Sequence, residues 1–340
     1  MTEKVITHPD GELRIEELPN GRRRLTIKCS KSDIYVPLQT CETSYPQDLI
    51  ELTLTVQGLP WLCDAISRDE DPQVVKEELK TNLFEFFAPE AFKGKRLLDF
   101  GCGAGSSTLC LARLLPQTEI VGVELDRKLN QLAEARRKHY GFENINFHIS
   151  PSGDELPKGL GEFDFCMMSA VYEHLLPHER QIVLPKIWAQ LKPGGALFIN
   201  QTPHRYYPVE THSTNLPLIN YLPNKLAFAL ARKWSRLQPM PNATGDELLR
   251  GGIRGATEFE ILKILGKSSS RHRPVLLEPR EGGHRDRIDL WHARLNPLRL
   301  RKVKSLAKIV LKGVKAVSGH VLVPYLTLAV RKDEKRSVSG

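Results

Sequence analysis

Leu97-Leu98-Asp99-Phe100-Gly101-Cys102-Gly103-Ala104-Gly105-Ser106-Ser107 is the stretch on which the fold turns. A short apolar strand, Arg96 to Phe100, runs into three glycines at alternate positions and then into a helix from Ser106 to Leu115. A strand entering a glycine turn ahead of a helix lets the main chain approach a ligand with no Cβ in the way. Glu124, 19 residues beyond Gly105, closes the next strand, Ile120 to Glu124, at the place where an acid accepts from ribose hydroxyls. Turn and acid together say far more than a glycine turn alone.

Strand and helix keep alternating on the C-terminal side. Arg127 to Tyr140 is an amphipathic helix ended by Gly141. Ile145 to Ile149, Phe163 to Ser169 and Ala196 to Asn200 are strands, with a helix over about Glu179 to Leu191 and a last strand over Val321 to Val330. The pattern predicts an α/β fold, a doubly wound and mostly parallel sheet. Residues 203–255, rich in proline and aromatics, break the alternation and read as an insertion capping the ligand edge. Thr257-Glu258-Phe259-Glu260 is a capping box that restarts a helix, closed at Gly266.

On the N-terminal side, Glu12 to Leu18 and Arg23 to Cys29 flank Pro19-Asn20-Gly21, a hairpin signal. Tyr45 to Phe87 reads as mostly helical, so residues 1–88 are expected to be an N-terminal extension and 89–340 the main domain.

The chain has 340 residues, 41% hydrophobic and 26% charged, which excludes wholesale disorder and a disulfide scaffold. Six scattered cysteines with no CxxC read as reduced thiols. No apolar run approaches the roughly 18 residues of a membrane span, and the start has no apolar signal core, so a cytoplasmic protein is expected. The net charge is +9, and seven basic residues with no acid lie between Pro297 and Lys315. That stretch also places Val303, Leu306, Ala307, Val310, Leu311, Val314 and Val317 at helical spacing. A basic amphipathic helix over about 298–317 is expected. Either it packs its apolar stripe on the domain with lysines in water, or it docks on anionic lipid or a phosphate-bearing substrate at the membrane surface.

A dinucleotide fingerprint needs a third glycine at position 106, where this chain has Ser106. GxGxG preceded by Asp99 suits a ligand without a pyrophosphate, such as S-adenosylmethionine (S-adenosyl-L-methionine). Further motifs follow in order: Val123-Glu124-Leu125-Asp126, Ser152-Gly153-Asp154-Glu155-Leu156-Pro157, Phe163-Asp164-Phe165, Tyr172-Glu173-His174-Leu175 and Leu191-Lys192-Pro193-Gly194-Gly195. With these, the sequence resembles the class I, Rossmann-like S-adenosylmethionine-dependent methyltransferases, small-molecule branch, from about Arg96 to Thr202. The resemblance implies that Gly101, Gly103 and Gly105 line the methionine part of the cofactor and that Glu124 holds the ribose. It places Ser152 and Gly153 at the adenine edge, with Ser152 standing where many relatives carry Asp.

An oxygen nucleophile needs a base as its methyl arrives. His174 follows the fourth strand of the motif series, and either serves as that base or organises a helix start. His204 and His212, after the fifth strand, are each a base, a substrate contact or a loop histidine. Arg250 and Arg254 are ligands for an acidic acceptor or solvated loop charges. No metal is expected, because no cluster has metal-ligand spacing along the chain.

The expected activity is O-methylation of a small-molecule or lipid-linked acceptor. A nucleic-acid methyltransferase is the alternative the basic charge suggests, against which the segment Ser169-Ala170-Val171-Tyr172 lacks the (D/N)PP(Y/F) motif of base amino methylation. A third reading is a cofactor-binding partner protein without transfer activity.

Overall fold

Pro19-Asn20-Gly21 turns the chain where the sequence asks for it. In the computed structural model, which describes residues 3–31, 34–237, 240–268, 271–294 and 301–334, the Leu18 amide donates to the Arg22 carbonyl at 2.9 Å. Gly21 takes φ 75°, a left-handed conformation that glycine adopts without strain. Around this hairpin run β1 (Glu3–His8), β2 (Gly11–Glu17), β3 (Arg23–Cys29) and β4 (Thr40–Thr43), an antiparallel sheet in the order β1-β2-β3-β4. β2 and β3 are the two strands the hairpin signal predicts, while the edge strands β1 and β4 carry no such signal. Leu13, Ile15, Leu25 and Ile27 are buried on one face, while Glu12, Arg14 and Arg24 face water.

The helices α1 (Gln47–Gln57), α2 (Leu62–Glu70) and α3 (Gln73–Leu83) follow. Ile50, Leu54, Leu59, Leu62 and Ile66 share one core with that sheet face. Each such side chain contributes about 1.5–3 kcal/mol when fully buried.

The rest of the chain alternates. It comprises β5 (Arg96–Phe100), α4 (Ser106–Leu114), β6 (Glu119–Glu124), α5 (Arg127–Tyr140), β7 (Ile145–Ile149) and β8 (Phe163–Ser169). Then come α6 (Pro177–Gln190), β9 (Leu191–Pro203), α7 (Asn224–Trp234), α8 (Gly245–Arg250) and α9 (Glu258–Ser268). The chain closes with β10 (Pro274–Leu276), α10 (Arg287–Ala293), α11 (Arg301–Ser318) and β11 (Tyr325–Lys332).

The second sheet runs β10-β11-β9-β8-β5-β6-β7. The pairs β5·β8, β8·β9 and β6·β7 are parallel, and β11 joins β9 antiparallel. The sheet is therefore the expected doubly wound, mostly parallel one. Because β5 lies mid-sheet and the chain later returns beside it as β8, the strand order reverses there. The carboxyl ends of β5 and β8 form the switch point at which such sheets bind ligands. The three-residue edge strand β10 was not legible in the sequence.

The chain falls into two compact units, residues 1–79 with 102–149 and residues 80–101 with 150–340. This division differs from the expected boundary at residue 88, because residues 102–149 belong with the N-terminal segment. Within the first unit, Leu132 of α5 is part of the N-terminal core, and Ala104, Ala135 and Tyr140 pack against it. Within the second, Phe87, Phe92, Phe165 and Phe198 form an aromatic cluster. The inserted segment has its own small core of Leu216, Ile219, Ala227, Ala231, Leu248 and Ile253.

Of the two alternatives for the basic helix, packing of its apolar stripe on the domain holds only in part, at Leu311 beside Ile288, Val321 and Val323. In α11 three lysines face the protein, where Lys308 pairs with Asp289 at 2.9 Å, and Lys312 and Lys315 each reach Asp286 at 2.9 Å. Val303, Leu306, Val310 and Val317 of the apolar stripe are 57–93% exposed. Acids on and next to α10 rotated the helix, a preference invisible in the helix's own sequence. Pro297 and Arg299 of the basic segment lie outside the described residues. Among the described residues, no single helix is long and apolar enough to cross a membrane.

Candidate active site

In the first unit, the glycine turn and Glu124 are tied together by main-chain hydrogen bonds. Glu124 Oε2 accepts from the Gly103 amide at 2.8 Å, and Oε1 accepts from the amides of Leu125 and Asp126 at 2.7 and 2.9 Å. Asp126 then caps α5, its carboxylate accepting from Lys128 and Leu129. Gly103 has φ 56°, and a Cβ built there would meet nothing within 4 Å. Gly105, at φ 85°, stands at the N-cap of α4 and packs against Ala133 and Phe147.

A carboxylate has about four acceptor positions. Three are used here, leaving one on Oε2 for a hydroxyl. Open space beside Gly103 and an oriented acid with spare acceptor capacity fit a ribose-bearing cofactor such as S-adenosylmethionine.

In the second unit, Asp99 is buried at the end of β5, where it pairs in register with Met167 of β8. Gly101 has φ 74°, and a Cβ there would lie 2.6 Å from Val171 Cγ2. This glycine is therefore needed both for its backbone and for the close passage of the segment after β8. Ser152 donates its hydroxyl to Asp154 Oδ1 at 2.7 Å, so the acid two residues on is tied to the serine. Gly153 lies against Glu179, whose Oε1 would be 3.2 Å from a Cβ.

The segment after β8 holds the densest polar chemistry in this unit. Glu173, fully buried, accepts from the Thr202 hydroxyl at 2.9 Å through Oε2, while Oε1 has no hydrogen-bond partner. Burial pushes its carboxyl above the usual range. His174 Nε2 is 3.8 Å from that free Oε1, and the His174 and His212 ring centres are 5.4 Å apart.

Each histidine is held from outside. Glu210 fixes the loop before α7, accepting from the backbone of His212, Ser213 and Thr214 and from the Ser213 and Thr214 hydroxyls. Arg250 donates to the His174 carbonyl at 3.2 Å and pairs with both oxygens of Glu179. Burial first, then the neighbouring His174, lowers the His212 pKa, so its ring is neutral at pH 7.

The structure brings His174 and His212 together and leaves His204 elsewhere. His204 is buried and its Nδ1 accepts from the Tyr206 amide at 3.1 Å. Burial lowers its pKa to about 4, against the opposing pull of Glu258 and with a smaller push from Arg287. This is a histidine that organises a turn. Thr202 and Gly252 carry no sequence signal for this role, because only packing brings them to the histidines, whereas Glu173 stands in the Tyr172-Glu173-His174-Leu175 motif without an assigned role.

Arg250 is half exposed but paired with Glu179, whereas Arg254 is buried. Arg254 donates to the carbonyls of Ile219 and Leu222, and burial first, then Arg205, lowers its pKa to about 10. It also lines a cavity of about 540 Å³ with Arg180, Arg205, Lys263, Lys267 and Glu260. The volume is that of a small-molecule pocket, and its lining includes five cations and one acid, with Arg180, Arg205 and Arg254 also donating to backbone carbonyls.

Residues 97–195 match the family model described as a methyltransferase domain. Over 103 residues the chain is 34% identical to a protein-L-isoaspartate O-methyltransferase of Nitrobacter winogradskyi, covering 30% of this chain and 42% of that one. It is 30% identical over 120 residues to a trans-aconitate 2-methyltransferase of Variovorax paradoxus, covering 35% and 42%. The chain thus spans about two fifths of the length of these curated relatives. A solved S-adenosylmethionine-dependent methyltransferase from Clostridium acetobutylicum aligns over 45% of this chain and 60% of its own, at 15% identity and a TM-score of 0.37.

Proposed function

We propose, from the premise that residues 97–195 are a class I S-adenosylmethionine-dependent methyltransferase domain, that the chain transfers a methyl group to an oxygen of an anionic small-molecule or lipid-linked acceptor. The observation that carries the acceptor class is the cavity lined by Arg180, Arg205, Arg254, Lys263 and Lys267. Cations gathered in a pocket of small-molecule size favour a carboxylate or phosphate. Two of the relatives are named for acidic acceptors, isoaspartate in a protein and trans-aconitate, which supports the same class.

When bound, S-adenosylmethionine supplies a methyl group activated on a sulfonium. Gly103 leaves room for it, and Glu124 has an acceptor position for a ribose hydroxyl. In-line displacement at such a centre is governed mainly by positioning. An acceptor hydroxyl must also shed its proton, and His212, in the loop after β9 and beside His174, offers an unprotonated ring nitrogen.

The test is transfer of labelled methyl from S-adenosylmethionine to a panel of small acids, phosphorylated sugars, lipid-linked sugars and RNA oligonucleotides. An anionic small or lipid-linked acceptor is expected to be labelled. The double variant Lys263→Ala, Lys267→Ala is expected to raise its KM about tenfold with little change in kcat. Labelling confined to RNA, or an unchanged KM, would refute the assignment.

A further inference from the structure

Glu173 Oε1 and His174 Nε2 face each other 3.8 Å apart, beyond hydrogen-bond distance. His174 Nδ1 lies 2.5 Å from the Arg250 carbonyl oxygen, which can only accept. The ring proton of a neutral His174 is therefore on Nδ1, and Nε2 presents a lone pair. Opposite it is a buried carboxylate oxygen with no hydrogen-bond donor, an arrangement that costs free energy unless something positive sits between.

His212 completes the group. One donor atom from each of Glu173, His174 and His212 can be chosen so that all lie within 4.8 Å of one another. Among the described residues neither ring nitrogen of His212 makes a hydrogen bond. Its place is kept open by Gly252, where a Cβ would lie 2.6 Å from His212 Cδ2 and 3.3 Å from Glu173 Cγ. Glu210 holds the His212 backbone, and Thr202 takes up the second Glu173 oxygen. A ligating histidine whose other nitrogen donates to a carbonyl, and a carboxylate whose second oxygen accepts a hydrogen bond, are the outer supports that metal sites use.

We propose that Glu173, His174 and His212 bind one divalent first-row transition-metal ion. Two imidazoles and one carboxylate suit zinc, cobalt, iron or manganese, whereas calcium and magnesium prefer oxygen throughout. Zinc bonds to nitrogen and oxygen are about 2.0–2.2 Å, so tetrahedral ligand atoms stand about 3.4 Å apart. The closure required is small, and His174 is exposed enough to supply it. A three-ligand site also leaves positions open to water or to an acceptor oxygen. An ion there would supply positive charge beside an acceptor hydroxyl, whose proton would then pass to bulk water, with His212 a ligand in place of the base. The site itself rests on these side chains, whichever atom the chain methylates.

The opposing arrangement is a doubly protonated His174 in a plain ion pair with Glu173, which binds no metal. The test uses the full-length, tag-free chain, stripped with a chelator and titrated with Co²⁺ by calorimetry and visible absorption, with no methyl donor or acceptor present. One equivalent is expected at micromolar affinity or tighter, with d–d bands of a nitrogen and oxygen set. Mg²⁺ is expected not to compete.

His212→Ala and His174→Ala are each expected to weaken Co²⁺ binding at least about tenfold. His178→Ala, at an exposed position on α6, should leave it unchanged. Should either site variant misfold, the unaltered chain still gives an answer, since its thermal midpoint should rise with Co²⁺ and not with Mg²⁺. Absence of saturable binding, more than one equivalent lowered by His178→Ala, or equal competition by Mg²⁺ would overturn the proposal. Failure of methyl transfer alone would not.

Discussion

The glycine turn with Glu124 and the Glu173–His174–His212 group are both polar constructions, yet they are built in opposite ways. Glu124 is held by three main-chain amides, two of them from the residues that follow it directly. Its geometry follows from a strand end, a turn and the torsions that glycine allows. The second group gathers side chains from the segment after β8, the end of β9 and the loop before α7, and relies on Glu210, Arg250 and Gly252 for support. Local backbone geometry repeats wherever its spacing repeats, whereas a side-chain cluster exists only once its neighbours are packed.

The largest expected effect tests how far the glycine turn is a purely local construction. Arg136 of α5 is fully buried and donates to the Ala104 carbonyl at 3.1 Å, inside the turn, and to the Ser106 hydroxyl at 3.3 Å. Its Nε lies 3.1 Å from Asp69 Oδ2, and both side chains are shut off from water. Removing one member strands a buried charge, so Arg136→Met should cost about 3–5 kcal/mol of unfolding free energy by urea titration. The double variant Asp69→Asn, Arg136→Met should recover part of that loss. A single-variant cost below about 1 kcal/mol would show that the turn stands without its buried clamp.

A smaller effect separates His204 from the other two histidines. Its folded pKa of about 4 lies below the roughly 6.5 of an unfolded histidine, because burial disfavours the charge. Below pH 6.5 the unfolded chain therefore takes up the proton first. Stability should be full above about pH 6.5 and decline as the pH falls toward 4, by on the order of 3 kcal/mol for this group. His204→Asn, which keeps an acceptor for the Tyr206 amide, should flatten that part of the profile. The check is the difference between the two urea-derived stability profiles, and parallel profiles would mean that His204 is not held neutral.

The same contrast explains what could be read in advance. The strands β5 to β8 and the helices α4 and α5 were legible because apolar runs, the glycine turn and the Gly141 terminus are local signals. The edge strands β1, β4 and β10 were not, since a short edge strand owes its pairing to the neighbour it joins. The burial of helix faces was legible only when the partner was apolar. In α11 the partner is a set of acids, and three lysines turned inward while Val317 stayed 93% exposed. At the candidate site, Glu124 and the glycines were marked by spacing. His174 and His212 were marked as residue types, but their meeting at Glu173 depends on a loop pinned by Glu210, for which no sequence period exists.

The smallest effect on stability asks what the open space beside Gly103 is for. Gly103 and Gly101 both have positive φ, so alanine at either position costs about 1–2 kcal/mol through the backbone alone. At Gly101 the collision with Val171 adds to this, and fold and function fail together. At Gly103 a Cβ meets nothing, so Gly103→Ala should unfold only about 1–2 kcal/mol more easily than the parent. If the space belongs to the cofactor, S-adenosylhomocysteine affinity by calorimetry should nevertheless fall more than about tenfold, equivalent to about 1.4 kcal/mol or more. Loss of affinity with the fold nearly intact would mean that the glycine is kept for ligand approach. Unchanged affinity would mean that it is kept for its torsion, and the cofactor contact would then have to be sought at Glu124 alone.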